Sequence, residues 1–460
     1  MDRPRAQVLI AIFGARVLAT TRPTRQFALD VVAPVRDGDR TRLDAVLDRI
    51  SSETLRAMQG QPVPRPLVDF GAVPTLHYAR WVILPGRGDS YQSPGGGTSP
   101  ARGPESLALS AWFDGAEGDA SADRAQESEN VLRALVAAGR RAFDALYESC
   151  EGYPQVASDS DVVAYLFARL VPPAAMYVGS PGRSRRQILE EAELARRVRR
   201  VVDDLRAQGP LPAPGEVRRR VIAQLGAPPS RFPRQERGWD TLLSRALLVP
   251  LLVPVSLVAL PWLLVLEATD PPFSPVYSAA ERAHVEITTR GEDLFYQNAL
   301  SNIVEVKSGA FRRLLLRLVL FVVNTLAQEY FVQGSLGEIP SIHAAHWYLL
   351  DGGQRLAFVS NYDGSWESYL CDFIDRASSG LTAVWSNTSG YPRTRLLAFA
   401  GSDAGDRFKA WSHHIQVRTR VWYAAYPSLS IVQINDATLI RRGLADPHAV
   451  APEQWLARLT

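Results

Sequence analysis

The sequence predicts an α+β protein in which two ferredoxin-like βαββαβ repeats pack as an α+β barrel, with a helical apolar insertion between them. Three observations predict it. Four sequence blocks recur in the same order, each copy reads as the same string of elements, and the stretch between the copies holds a long uncharged run.

The first block pairs VAPVRDGDRTRL (32–43) with IVEVKSGAFRRL (303–314), at an offset of 271. The second pairs GAVPTLHYARWVIL (71–84) with GEIPSIHAAHWYLL (337–350), so that Gly71, Pro74, His77, Trp81 and Leu84 recur as Gly337, Pro340, His343, Trp347 and Leu350. LALSAWFDG (107–115) matches LAFVSNYDG (356–364), and Gly152-Tyr153-Pro154 matches Gly390-Tyr391-Pro392. The offset falls from 271 to 266, 249 and 238, which places extra loop residues in the first copy, among them the Gly-, Ser- and Pro-rich stretch 86–103. Coincidence scatters matches, whereas ordered blocks point to duplication.

Each copy reads in the same order. The apolar run 28–35 is a strand, and a helix follows Gly38. Residues 77–84 and 107–113 alternate as adjacent strands. Helical periodicity over 126–149 ends at Gly152-Tyr153-Pro154, a helix stop. A short helix at 160–169 and a strand at 175–178 complete the copy. The second copy runs 301–306, 310–326, 342–350, 356–362, 366–387 and 420–425. The βαββαβ order defines a ferredoxin-like unit, and two such units bury the apolar faces of their sheets against each other. This gives repeat one over 25–182, an insertion over 183–300, and repeat two over 301–445.

The insertion opens with a charged helix (183–208) whose Glu and Arg residues sit at i, i+4 spacing, the mark of a solvated face. It continues into ALLVPLLVPVSLVALPWLLVL (246–266), which is 21 residues without a charge and long enough for a hydrocarbon core of about 30 Å. A single crossing would leave the copies on opposite sides of a bilayer. Either the run returns as a hairpin broken at Pro250, Pro254 and Pro261, or the helix 312–332, apolar on all sides, enters the membrane as well. The first gives a peripheral, monotopic protein at the cytoplasmic side, with arginines at lipid phosphates. The second gives an integral one. The competing reading is a helical layer buried between domains.

Charge narrows the partners. Fifty-one basic and 48 acidic residues leave a net +3, too little for a nucleic-acid binder. Lys307 and Lys409 are the sole lysines. Two cysteines, Cys150 and Cys371, lie far apart and form no metal-binding spacing.

The double βαββαβ plan, a helix opening at Asp363-Gly364, and a histidine late in the second copy together resemble the dye-decolorizing peroxidase and chlorite dismutase superfamily. The likeness covers roughly 300 residues as architecture. The GxxDG motif of the peroxidases corresponds to Ser360-Asn361-Tyr362-Asp363-Gly364, with Ser360 in place of glycine. The resemblance implies a membrane-associated, haem-dependent, peroxidase-like oxidoreductase acting on a small molecule. In it His414, or its neighbour His413, binds the haem iron, Asp363 moves the proton between peroxide oxygens, and Arg393 or Arg395 stabilises the departing charge. The competing reading makes Asp363 the cap of the helix that starts at Ser365 or Trp366, and Asp114 at the same place in the first copy favours that structural role. The alternative function is a non-catalytic, membrane-associated or lipid-binding protein on the same scaffold. His77 and His343 recur at one strand position, which suits a shared packing or hydrogen-bond role, and His343 and His346 are expected on opposite strand faces.

Overall fold

The computed structural model describes residues 26–87, 103–116, 123–155, 158–228, 261–269, 279–289, 295–329, 339, 341–376, 378–396 and 405–459. Most of the 86–103 loop and residues 246–260 of the uncharged run lie outside them. The chain is a mixed α+β protein with two antiparallel sheets. Among the described residues no helix is long and apolar enough to cross a membrane.

The strands are β1 (Gln26–Pro34), β2 (Leu76–Leu84), β3 (Ser106–Asp114), β4 (Leu170–Val171), β5 (Pro173–Val178), β6 (Gln297–Glu305), β7 (Ile342–Leu350), β8 (Arg355–Asp363) and β9 (Thr419–Ala424). The helices are α1 (Arg40–Met58), α2 (Arg124–Tyr147), α3 (Asp159–Phe167), α4 (Arg185–Ala207), α5 (Pro214–Leu225), α6 (261–269), α7 (Ala279–Thr289), α8 (Ala310–Glu329), α9 (Trp366–Arg376), α10 (Ser378–Trp385), α11 (Gly405–Ile415), α12 (Ile431–Ala445) and α13 (Pro452–Ala457). The single helix expected over 366–387 is thus two, α9 and α10.

One sheet has the order β4-β1-β3-β2-β9 and the other β5-β7-β8-β6. The last strand of each expected repeat therefore lies in the other repeat's sheet. Strand β5 pairs with β7 (Ala175↔Trp347, Tyr177↔Ala345), and β9 pairs with β2 (Ala79↔Tyr423, Trp81↔Val421). The boundaries 25–182 and 301–445 bracket the elements but do not enclose separate sheets.

Alternation along the strands divides the core into layers. Leu29, Val31, Trp81, Leu109 and Phe113 face α1, α2 and α3. Trp347, Phe358 and Tyr362 face α8 to α11. Between the sheets lie Ala28, Tyr78, Trp112, Met176, Ala344 and Tyr348. Helix α4 buries Ala195, Val198 and Val202 in a cluster that also holds Ala437 and Ile440 of α12. Its other side carries the expected solvated pairs, such as Arg186–Glu190 at 2.7 Å.

Candidate functional site

The β7 bulge changes where its histidines point. The register slips between Ile342 and Ala344, and the slip between Leu76 and Tyr78 in β2 matches it. A bulge inserts one residue and re-aims a side chain. His343 thus comes against Tyr78 and Tyr426 of the layer between the sheets, at centroid distances of 6.1 and 6.3 Å. His346 enters the same layer, 4.3 Å from Trp112. The expectation of opposite faces fails because it assumed an unbroken pleat.

Asp363 lies at the heart of this arrangement. Its Oδ1 is 2.7 Å from His343 Nε2, and its Oδ2 accepts the Ile431 amide at 2.8 Å. Asp114 does the same in the first sheet, with His77 Nε2 at 2.9 Å and the Arg185 amide at 2.7 Å. Each carboxylate therefore ties a strand histidine to the first turn of a distant helix, α12 or α4, where a negative charge is favourable. The cap anticipated for Asp363 on the helix after Gly364 is not found: Asp363 binds the first amide of α12 instead, and the cap of α12 is Ser430, whose Oγ accepts the Gln433 amide at 2.9 Å. Helix α9 is capped by Ser365, whose Oγ accepts the Ser368 amide at 3.1 Å. His77 Nδ1 also meets the Tyr426 hydroxyl at 2.7 Å.

A second polar group crosses between the sheets. His346 Nε2 lies 2.6 Å from Asp30 Oδ2, and Ser110 donates to Asp30 Oδ1 at 2.5 Å. Arg80 donates to Leu300 O (2.6 Å), Ser301 Oγ (3.1 Å), Ser360 O (2.8 Å) and Asn361 Oδ1 (2.6 Å). All of these side chains are buried. Burial pulls the Arg80 guanidinium down to about 10, so it remains charged at neutral pH.

The residues expected to hold and serve a haem are not brought together. Asp363 pairs with Gln297 at the start of β6, whereas Gln416, two residues past His414, bridges Asn302. Five residue steps along β6 separate the two points, roughly 17 Å. Thr388, shortly before Arg393 and Arg395, bridges Val306 at the far end of β6. Both arginines are exposed. His413 stacks on Trp366 at 3.5 Å, and burial lowers it from the ordinary 6.5 to about 4. His414 is buried on α11, whose Trp411 packs against Trp385 at 5.2 Å and Tyr391 at 4.9 Å. With both Asp363 oxygens engaged and the two histidines well removed from Asp363 along β6, these residues do not fit the arrangement expected for a haem.

A different feature gathers around α6 and α8, and sequence reasoning met only part of it. Residues 261–266 of the uncharged run form the first turns of α6. Trp262 and Val265 there are 58% and 59% exposed. The Trp262 ring meets Phe311 of α8 at 6.4 Å. Three residues on, Leu314 is 66% exposed. Leu318, Phe321 and Val322 are half-buried, and Leu326 is exposed, along the outer side of α8. Its inner apolar positions Leu316, Leu320 and Ala327 enter the core. Glu267 holds the neighbouring loop by accepting from Thr394 Oγ1 at 2.8 Å and the Leu396 amide at 2.9 Å. This ties exposed Leu396, which follows the exposed Arg393 and Arg395, to the buried side of α6.

No protein-family model matches the chain, and neither a curated protein nor a solved structure matches it.

Proposed function

We propose that the protein is a duplicated ferredoxin-like scaffold that binds a membrane surface through the α6–α8 face, as a peripheral, monotopic protein without a haem. The observation that carries the binding reading is the set of exposed apolar side chains Trp262, Leu264 and Val265 of α6 and Leu314 of α8, joined by the Trp262–Phe311 contact. Soluble proteins rarely expose contiguous apolar surface of this kind without a partner. The chemistry suits an interface. A tryptophan suits the headgroup level, leucines and valines reach the acyl boundary, and Arg393 and Arg395 beside Leu396 suit lipid phosphates.

Duplication is supported by contacts that occur in both copies, one partner at a block offset of 271, 266 or 249 and the other at a common offset of 246. Gln26 Nε2 donates to Ser180 O and Arg183 O, and Gln297 Nε2 to Tyr426 O and Leu429 O. The Gly179 amide donates to His343 O at 2.8 Å, and the Ala425 amide to His77 O at 2.8 Å. The His–Asp–helix arrangement occurs twice in the same way.

Flotation with phosphatidylglycerol vesicles tests the surface. The full chain is expected to float with them, and the double substitution Trp262→Glu, Leu314→Glu to weaken binding at least about tenfold, since each loses burial of a large apolar group. Equal flotation of both proteins contradicts the reading.

A further inference from the structure

A cleft of about 670 Å³ lies beside the His77 pair, between α4, α12 and the turn after β9. Small-molecule sites fall in the range of roughly 300–1,000 Å³. Its lining is mainly apolar, with Leu189 and Ala192 of α4, Phe295, and Leu429 of the turn. Arg196 and Arg199 of α4 also line it, and their i, i+3 spacing makes them neighbours on the helix surface.

The two arginines differ. Arg196 is committed to Glu193 at 2.7 Å. Arg199 is half-buried and makes no hydrogen bond or ion pair with another described residue. A guanidinium offers five donors in a planar fork that matches a carboxylate or phosphate, and one held half out of water without a counter-charge favours an anion arriving beside it. None of the residues lining the cleft belongs to α6 or α8. Tyr296, at its rim, immediately precedes β6, whereas Phe311 of the apolar face follows the far end of that strand.

We propose that this cleft binds a small soluble molecule with an apolar body and a single carboxylate or phosphate, the anion seated on Arg199. The inference does not depend on membrane binding.

Calorimetric titration of the full chain with 4-phenylbutyrate, 4-phenylbutyl phosphate, 4-phenylbutanol and inorganic phosphate tests it. At least one of the two organic anions is expected to bind about tenfold or more tightly than the alcohol and than inorganic phosphate, and which one identifies the anion. Arg199→Gln, on a half-buried surface position, is expected to erase that preference, and Leu189→Trp to weaken the anions by narrowing the cleft. The proposal is overturned if neither anion binds, if the alcohol binds as well as they do, or if Arg199→Gln binds as the unaltered protein does.

Discussion

Arg80 carries its charge into a layer closed to water and meets four oxygens there. Removing the guanidinium leaves neutral buried acceptors unpaired and opens a cavity, which together cost about 3–5 kcal/mol. Arg80→Ala is expected to lose about that much stability in urea unfolding, while Arg80→Met, which refills the volume, loses less. His413 gives a pH-dependent counterpart. Its folded value, lowered to about 4 by burial, lies below the ordinary 6.5. Between those values the unfolded chain binds the extra proton, so stability is present above about 6.5 and falls as pH drops toward 4. His413→Gln is expected to flatten the unfolding midpoint across that window, and an unchanged slope contradicts this. These residues show what was legible at this scale. The shared structural role of His77 and His343 followed from their repetition at one strand position. The partner of His346 did not, because Asp30 lies 316 residues away in a different sheet. Tyr426 was missed because its hydroxyl joins His77 only across the pairing of β9 with β2.

At the scale of elements, the strand and helix positions were readable because alternation and 3.6-residue periodicity are local properties. The exchange of β5 and β9 was not. A six-residue strand carries its in–out pattern in its own sequence, but the edge it joins depends on chain geometry far away. The exchange makes each half incomplete alone, since β2 lacks β9 and β7 lacks β5 when the chain is divided. Two pieces cut within 229–260 are expected to copurify when coexpressed and to aggregate when expressed singly. A singly expressed piece that unfolds cooperatively as a monomer contradicts the exchange. Helix α8 shows the same limit. Its sequence is apolar all round, which fits burial in protein or contact with lipid equally well. Only the fold shows that Leu316 and Leu320 face the core while Leu314 faces outward.

For the whole molecule, two halves bound by exchanged strands form a body with an apolar face at α6 and α8 and an arginine-lined cleft beyond the opposite end of β6. Asp363, the His413–His414 helix and the loop of Arg393 and Arg395 lie beside different stretches of β6. The reading of membrane contact depends on how deeply α8 meets lipid, and site-directed spin labelling measures that directly. With labels at Leu314 or Leu318, adding phosphatidylglycerol vesicles is expected to raise collisions with oxygen and lower those with a water-soluble nickel complex, while a label at Gln59, beside the cleft, stays unchanged. Accessibilities at Leu314 and Leu318 that do not move on adding vesicles contradict membrane binding through this face.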